Sequence, residues 1–426
     1  MASLPMTDAE CEIAMRQLQP RLQQYAELLV SRGVALKPGQ ELVITAPVES
    51  VEFVRIVARE AYRAGAGHVT HIWCDDDLGR LEYDNCPLEY FQKLPAWKAE
   101  QMNSLAREGA AFLWIDGENP DAMLGVDSAK PAARAVASHQ QCTEYRRGLD
   151  FGENAWCIAG APVLAWARKV FPKLSDAEAV YRLWVAILDT TRVVGDDPES
   201  EWETHNAMLA KNKRRLNEAH YDALHYTSSN GTDLVIGLTP KHIWEGGAGK
   251  TRDGVVYFPN MPTEEVFTTP DRTRATGVVH SALPLVHNGS IVRDFWLKFD
   301  EGRVVDYGAE KGADVLRGII ETDEGAHHLG ECALISKNTP IRQSGLLFYN
   351  TLYDENASCH LALGMGFPEC YEGGLDMEKD ELLSAGVNES AQHVDFMIGA
   401  DDLDITGIKP DGTEEPIFIH GQWSWE

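Results

Sequence analysis

Short apolar runs separated by helical stretches make up the first half of the chain. After a predicted opening helix over residues 8–32, the run ELVITAP at 41–47 leads into VEFVRIVAREAYRAG, whose apolar residues recur on one helical face before a glycine. Strands that alternate with crossover helices are typical of an open, mostly parallel α/β sheet. Three further runs of strand length continue this pattern: HVTHIWC at 68–74, AAFLWID at 110–116 and WCIAGAP at 156–162.

The pattern changes near the middle of the chain. The segment VVGDDPESEW at 193–202 combines glycine, proline and charges, as a domain boundary does. We therefore predict an N-terminal α/β domain over 1–195 and a C-terminal domain over 196–426. After a predicted helix at 201–218, the C-terminal part shows many short strands broken by glycine and a few helices, which favours an α+β, mainly antiparallel domain. Its strand-like segments are GTDLVIGL, VVYFP, ATGVVHSALPLV, SIVRDFWLKFD and GRVVDY.

The composition argues against several classes of function. The 426 residues carry a formal net charge of -28, which disfavours nucleic acid and anionic membranes as partners and favours cationic ligands. No apolar stretch reaches the roughly eighteen residues of a transmembrane helix, and the acidic N-terminus does not resemble a signal peptide, so we expect a cytoplasmic protein. The eight cysteines form no CxxC pair, and no GxGxxG follows the first strand.

Residue types that bind metals concentrate in four segments of the C-terminal domain. In SAQHVDFMIGA, His393 and Asp395 are two apart in a strand-like run, so both side chains leave the same face. This spacing presents a nitrogen and an oxygen ligand to one point. A surface strand with alternating polar residues would give the same spacing, and that alternative stays open. The other three segments are NMPTEEVFTTP, HHLGECALI and YDENASCHLALG.

Each of these three segments has a structural alternative. Glu331 lies beside a short apolar run, where a carboxylate needs either a metal or an arginine such as Arg342. His360 lies among small and apolar residues, which also suits a neutral core histidine bonded to a carbonyl. Glu264 and Glu265 follow Thr263, which could cap a helix whose first turn favours glutamate.

Taken in order, these segments resemble the thermophilic aminopeptidase family, the aminopeptidase T and aminopeptidase S group. The resemblance runs through nearly all of the second domain and, more faintly, through WCIAGAPVLAWARKVFP in the first. It implies a metal-dependent aminopeptidase acting on peptides with a free N-terminus. It also implies a homodimer that encloses its active sites in an internal cavity. The motifs that carry the resemblance are NMPTEEVFTTP, TDEGAHHLGECAL, LFYNTLYDENASCHLALG and HVDFMIG.

The resemblance also implies a metal centre of two divalent cations, whether zinc, cobalt or manganese. If Glu331 bridges, five side chains supply about six protein bonds, roughly three for each cation, which leaves room for water. We expect Glu331 to be essential to catalysis. A further carboxylate, Glu264, Asp354 or Glu355, is expected to bind the substrate's ammonium group or to carry a proton. The implied ligands are Glu265, Glu331, His360, His393 and Asp395.

The chain departs from the family at Phe367, where the family has a tyrosine seven residues after the histidine. If the tyrosine hydroxyl stabilises the oxyanion, its loss costs about a hundredfold to a thousandfold in turnover. Tyr371, four residues further on, could substitute for it. The departure bears on catalytic efficiency more than on metal binding.

Two other functions are compatible with the same residues. His360, His393 and Asp395 alone would form the ligand set of a non-haem iron oxygenase that opens aromatic rings, although Glu265 and Glu331 would then be unneeded. A peptide- or metal-binding protein with little or no turnover is the other alternative, and Phe367 motivates it.

Overall fold

A computed structural model describes residues 5–287 and 289–426, and residues 1–4 of the acidic N-terminus lie outside the described part. The chain forms two compact units. The first comprises the chain up to Thr204 together with Ala248–Pro262, and the second comprises His205–Gly247 and Thr263–Glu426. The domain boundary expected after residue 195 stays a prediction.

The first unit contains a five-stranded parallel sheet with the strand order β2-β1-β3-β4-β9. Its central strands are largely buried because helices cover parallel sheets, and their apolar runs match that environment. A separate two-stranded ribbon joins β7 and β8. The strands of this unit are β1 Glu41–Pro47, β2 His68–Cys74, β3 Ala111–Asp116, β4 Trp156–Gly160, β7 Gly249–Lys250, β8 Val256–Tyr257 and β9 Asn260–Met261.

Helices of the first unit begin where the sequence supplies caps. The first helix starts with a capping box in which Thr7 and Glu10 satisfy each other's backbone N–H groups. Ser175 caps α9 more simply, because its hydroxyl accepts the backbone N–H of Glu178. The helices are α1 Asp8–Leu28, α2 Val51–Arg63, α3 Asp76–Asn85, α4 Leu88–Phe91, α5 Ala96–Arg107, α6 Ala129–Gln141, α7 Thr143–Asp150, α8 Leu164–Val170 and α9 Asp176–Thr190.

The next helix, α10 Pro198–Ala219, starts within the segment predicted as a boundary and three residues before the predicted helix start. Asp197 explains the earlier start, because its carboxylate accepts the N–H of Ser200 and proline suits the first turn.

An antiparallel sheet of nine strands forms one layer of the second unit. Eight strands follow the order β12-β13-β11-β6-β5-β18-β19-β20, and β14 pairs with β13. Its strands are β5 Ala223–Thr227, β6 Asp233–Leu238, β11 Pro270–His280, β12 Leu285–His287, β13 Ser290–Asp300, β14 Arg303–Lys311, β18 Asp404–Ile408, β19 Glu414–Ile419 and β20 Gln422–Trp423.

A second, four-stranded antiparallel sheet has the order β10-β15-β16-β17. Every residue of β15 and β16 is buried, so polar residues within these strands are buried as well. One face of the sheet contributes Cys332, Leu361 and Phe396 to the apolar core of this unit. The strands are β10 Val266–Thr268, β15 Leu329–Leu334, β16 His360–Gly364 and β17 His393–Met397, and the remaining helices are α11 Ala313–Ile320, α12 Pro340–Ser344, α13 Thr351–Glu355 and α14 Lys379–Ser384.

The predicted fold class, a parallel α/β part followed by a mainly antiparallel α+β part, is confirmed. All eight cysteines are free thiols. Among the described residues, none of the helices combines the length and apolar character needed to cross a bilayer.

Candidate metal centre

All five candidate ligands come from one face of the four-stranded sheet. Residues directly opposite each other on paired strands share a face, and Ala362 of β16 lies opposite both Glu331 and Asp395. Alternation along each strand then places His360 and His393 on that same face. Glu265 precedes β10, which pairs with β15 in the register that brings Phe267 opposite Ala333, so Glu265 shares the face too.

The first group of ligands joins the start of β10 to β15 and β16. Nε2 of His360 lies 3.4 Å from Oε2 of Glu265 and 4.0 Å from Oε2 of Glu331. Candidate ligand atoms of these three buried residues all lie within 4.8 Å of one another. A carboxylate, a second carboxylate and an imidazole are therefore close enough to bind one cation.

The second group shares Glu331 with the first. Nε2 of His393 lies 3.1 Å from Oε2 of Glu331 and 3.2 Å from Oδ1 of Asp395. Ligand atoms of Glu331, His393 and Asp395 also fall within 4.8 Å of one another. Asp395 reaches towards the first group as well, since its Oδ1 is 3.9 Å from Nε2 of His360.

Backbone carbonyls orient both histidines. Nδ1 of His360 donates to the carbonyl oxygen of Glu355 at 2.9 Å, and Nδ1 of His393 donates to that of Met365 at 2.7 Å. With the proton on Nδ1, each neutral imidazole turns the lone pair of Nε2 towards the carboxylates. This is the second interaction that metal-binding histidines ordinarily make.

Crowded charges perturb this site strongly. Burial, followed by the charges of Glu331 and Asp395, raises the pKa of Glu265 to about 8 against the opposing effect of His360. Burial acts to lower the pKa of His393, but Asp395 and Glu331 together raise it well above its usual range. Three carboxylates packed together thus require positive charge, either from protonated histidines or from cations.

The donor set fits divalent cations. Oδ1 of Asp395 is buried and accepts no well-aligned hydrogen bond from any described residue, although Nε2 of His393 is near it. In the neutral form of His393, whose tautomer the Met365 carbonyl sets, that nitrogen carries a lone pair in place of a proton. A cation between the lone pairs would satisfy both atoms and offset the cost of burying the carboxylate.

Two of the structural alternatives are wrong. Glu331 does not pair with Arg342, whose guanidinium instead lies 3.1 Å from Asp401. Thr263 caps no helix, because the chain from Thr263 leads directly into strand β10. His360 does bond to a carbonyl, as the core-histidine alternative expected, but its second nitrogen faces the carboxylates.

Glu264 and Asp354 point to other partners. Oε2 of Glu264 lies 3.7 Å from Nε2 of His205, a buried histidine that also contacts the carbonyl of Thr263 at 2.7 Å. The carboxylate of Asp354 accepts the N–H groups of Phe348 at 2.7 Å and Asn350 at 3.1 Å. Both residues therefore support segments that carry or adjoin the site.

Sequence analysis missed His205 and Asn356. The amide of Asn356 connects two ligand-bearing segments: its oxygen accepts the N–H of Glu264 at 2.8 Å, and its nitrogen donates to the carbonyl of Leu352 at 2.9 Å. The position of Asn356 inside the motif YDENASCHLALG was the available signal for it. No local signal marked His205.

Phe367 lies against the metal centre, where the resemblance implies a tyrosine. Its ring centroid is 4.9 Å from that of His393 and 5.5 Å from that of Phe267. The backbone at Tyr371 instead pairs with His242 in an isolated bridge.

A buried sheet face that gathers carboxylates and imidazoles is typical of metal-dependent enzymes. The model of the thermophilic metalloprotease family M29 matches residues 18–423. The chain therefore belongs to this family and is a peptide-bond hydrolase.

Full-length relatives support this assignment. Aminopeptidase AmpS of Bacillus subtilis (strain 168) is 44% identical over 411 residues, covering 96% of this chain and 100% of the relative. Aminopeptidase 2 of Geobacillus stearothermophilus is 43% identical, covering 97% of this chain and 100% of the relative. The solved structure of wild-type AmpT from Thermus thermophilus is 41% identical, covers 96% of this chain and 100% of its own, and superimposes with a TM-score of 0.89.

Proposed function

We propose that this protein is a dinuclear metallo-aminopeptidase that removes the N-terminal residue from peptides with a free N-terminus. The observation that carries the proposal is the position of Glu331, whose carboxylate belongs to both groups of candidate ligands. A shared carboxylate is the arrangement expected when two cations lie side by side. Zinc, cobalt and manganese all suit carboxylate and imidazole ligands.

The proposed ligands are Glu265, Glu331, His360, His393 and Asp395. With Glu331 shared, roughly three protein bonds would be available to each cation, which would leave positions open as catalytic sites require. Cations bound there would supply an activated water and a polarised scissile carbonyl, so hydrolysis would need no protein nucleophile. The chain's own contribution is to hold both imidazoles through the carbonyls of Glu355 and Met365.

Glu264 stays a predicted contributor to catalysis. Its carboxylate is buried beside His205, and its backbone N–H is held by Asn356. These contacts favour a positioning role, in which Glu264 and His205 fix the short segment that carries Glu265.

The test combines metal content with hydrolysis. Purified protein is loaded with zinc, cobalt or manganese and assayed on a panel of aminoacyl chromogenic substrates and on peptides with free or acetylated N-termini. We expect about two metals per chain, because two groups of ligands share one carboxylate. We also expect cleavage of the peptides with free N-termini and none of the acetylated peptides. Glu331→Ala should lose both activity and metal, whereas the exposed control Glu372→Ala should retain both.

Two results would contradict the proposal. Equal cleavage of acetylated and free peptides would exclude an aminopeptidase. A single bound iron with oxygen-dependent ring cleavage would instead favour the oxygenase, which requires only His360, His393 and Asp395. The presence of Glu265 and Glu331 in the same cluster supports the peptidase.

We also propose a homodimer, as the resemblance implies, and the cytoplasmic location stays a prediction. Light scattering coupled to gel filtration should then give a mass about twice the 47.2 kDa of one chain. A mass of one chain at micromolar concentration would contradict the dimer without affecting the metal centre.

A further inference from the structure

A small cavity adjoins the metal centre within the second unit. Three carboxyl residues and three apolar residues contribute to its lining, and Tyr349 and Thr351 complete it. The carboxyl residues come from helix α13 and strand β17, whereas the apolar ones come from β12 and β17. They are Asp354, Glu355, Asp395, Leu285, Val286 and Met397.

Two of the three carboxylates already have partners. Asp395 belongs to the second group of candidate metal ligands. Asp354 accepts the backbone N–H groups of Phe348 and Asn350, so it stabilises the loop that carries Tyr349. Neither carboxylate is therefore available to bind a substrate directly.

Glu355 is the carboxylate left over. Among the described residues, its side chain receives a single hydrogen bond, a long one of 3.4 Å from Nδ2 of Asn356 to Oε1. The residue as a whole is partly exposed, and it lines the cavity. A carboxylate that faces a cavity with so little hydrogen bonding is suited to a cationic ligand.

The backbone fixes Glu355 relative to the metal centre. Glu355 is the last residue of helix α13, and its carbonyl oxygen accepts the Nδ1 proton of His360 at 2.9 Å. One residue thus orients a metal-binding imidazole through its backbone and offers a carboxylate through its side chain. A ligand bound to that carboxylate would lie next to the cations.

We propose that Glu355 binds the α-ammonium group of the peptide substrate, while Leu285, Val286 and Met397 contact the side chain of its first residue. This inference rests on the proposed function and names the group that makes the enzyme an exopeptidase. When the ammonium group is held beside the cations, the peptide bond that reaches the cations is the one after the first residue. A blocked N-terminus would lose the charge that Glu355 pairs with.

The test compares two inhibitors that differ only in the amine. Leucine hydroxamate and 4-methylpentanehydroxamic acid carry the same metal-binding group and the same side chain, but the second lacks the amino group. In the metal-loaded parent, the amine should improve the inhibition constant about 10- to 100-fold, as expected for a charge-assisted hydrogen bond. In Glu355→Gln, this advantage should fall to about threefold or less, and the control Glu372→Gln should resemble the parent.

Each other result has a definite meaning. The inference is wrong if Glu355→Gln still binds the compound with the amine more tightly by the same factor as the parent does. It is also wrong if Glu355→Gln loses metal and binds both compounds more weakly by an equal factor. If the parent binds both hydroxamates without preferring the amine, the inference fails while the metal site stands. If the parent binds neither compound with zinc, cobalt or manganese, the proposed function fails first.

Discussion

At the scale of single residues, the most consequential side chain is that of Glu331. Its carboxylate lies 3.1 Å from His393 and 4.0 Å from His360, so both groups of ligands depend on it. It is also 4% exposed, and a buried carboxylate without a counter-charge is strongly unfavourable. The carboxylate of Glu331 is therefore stable at this position only within a cluster that supplies positive charge.

Replacing Phe367 by tyrosine should increase turnover. The Phe367 ring packs against the His393 ring, so a hydroxyl added at its tip would lie near the proposed cations. A donor that stabilises an oxyanion is worth about a hundredfold in kcat, with little change in KM. Steady-state kinetics on an aminoacyl substrate measures the effect, and Phe151→Tyr, in the first unit, is the control. An unchanged kcat would mean that another group already performs this role.

His242 should make the second unit sensitive to acid. It is 4% exposed, its Nε2 has no partner among the described residues, and its ring stacks on His220 at 4.5 Å. Burial, with a smaller effect of His220, lowers its pKa to about 4 against the opposing effects of Thr239 and Asp222. Between about pH 6.5 and 4, the unfolded chain then binds a proton that the folded chain does not.

The free energy of unfolding should consequently fall as pH falls through that window, by about 2 kcal/mol at pH 5. In His242→Asn this part of the pH dependence should disappear, although the variant is less stable at pH 7. Urea denaturation at pH 7 and at pH 5 provides the measurement. The same substitution at an exposed histidine, His71→Asn, serves as the control. If the free energy of unfolding of His242→Asn depends on pH as strongly as that of the parent, the assignment of this effect to His242 is wrong.

At the scale of elements, the four-stranded sheet separates core and chemistry onto two faces. Ala362 lies at the centre of the ligand face, opposite both Glu331 and Asp395, and is fully buried. Its neighbour Leu361 points to the other face and belongs to the apolar core. The small side chain of Ala362 leaves the space that cations would occupy.

Ala362→Leu should therefore abolish metal binding while the protein still folds. Overpacking at such a site costs about 1–3 kcal/mol, whereas Leu361→Ala should cost about 2–5 kcal/mol and keep the metals. Metal content by mass spectrometry and stability by chemical denaturation distinguish the two. Equal metal loading in both variants would contradict the two-face description.

At the scale of the whole molecule, metals should stabilise the fold. The ligands come from four segments that lie far apart in the sequence, so cations would crosslink the sheet and neutralise three carboxylates. Binding to the folded state alone contributes about 2.7 kcal/mol at a metal concentration a hundred times Kd. Denaturation of chelated and metal-supplemented protein should show this difference, and Glu331→Ala should show little response. A parent indifferent to metals would argue against the site.

Local patterns in the sequence were sufficient for much of this description. The strands β1 and β2 begin and end where the predicted runs do. In the largely buried β1 this is because a buried parallel strand needs continuous apolar residues, whereas β2 lies at the sheet edge and none of its residues is buried. His393 and Asp395 share a face because strand periodicity is local. The chemical types in four short motifs also indicated the candidate ligands, and the resemblance specified them.

Only the tertiary structure decided which faces meet. The register of β15 and β16 brings Glu331 and His360 together, and no local pattern encodes a pairing between distant strands. The same long-range packing directs Glu264 to His205 and Asp354 to its loop, which leaves Glu355 facing the cavity. It also returns β9 to the parallel sheet of the first unit. These contacts depend on residues far apart in the chain, whereas sequence patterns report only on neighbours.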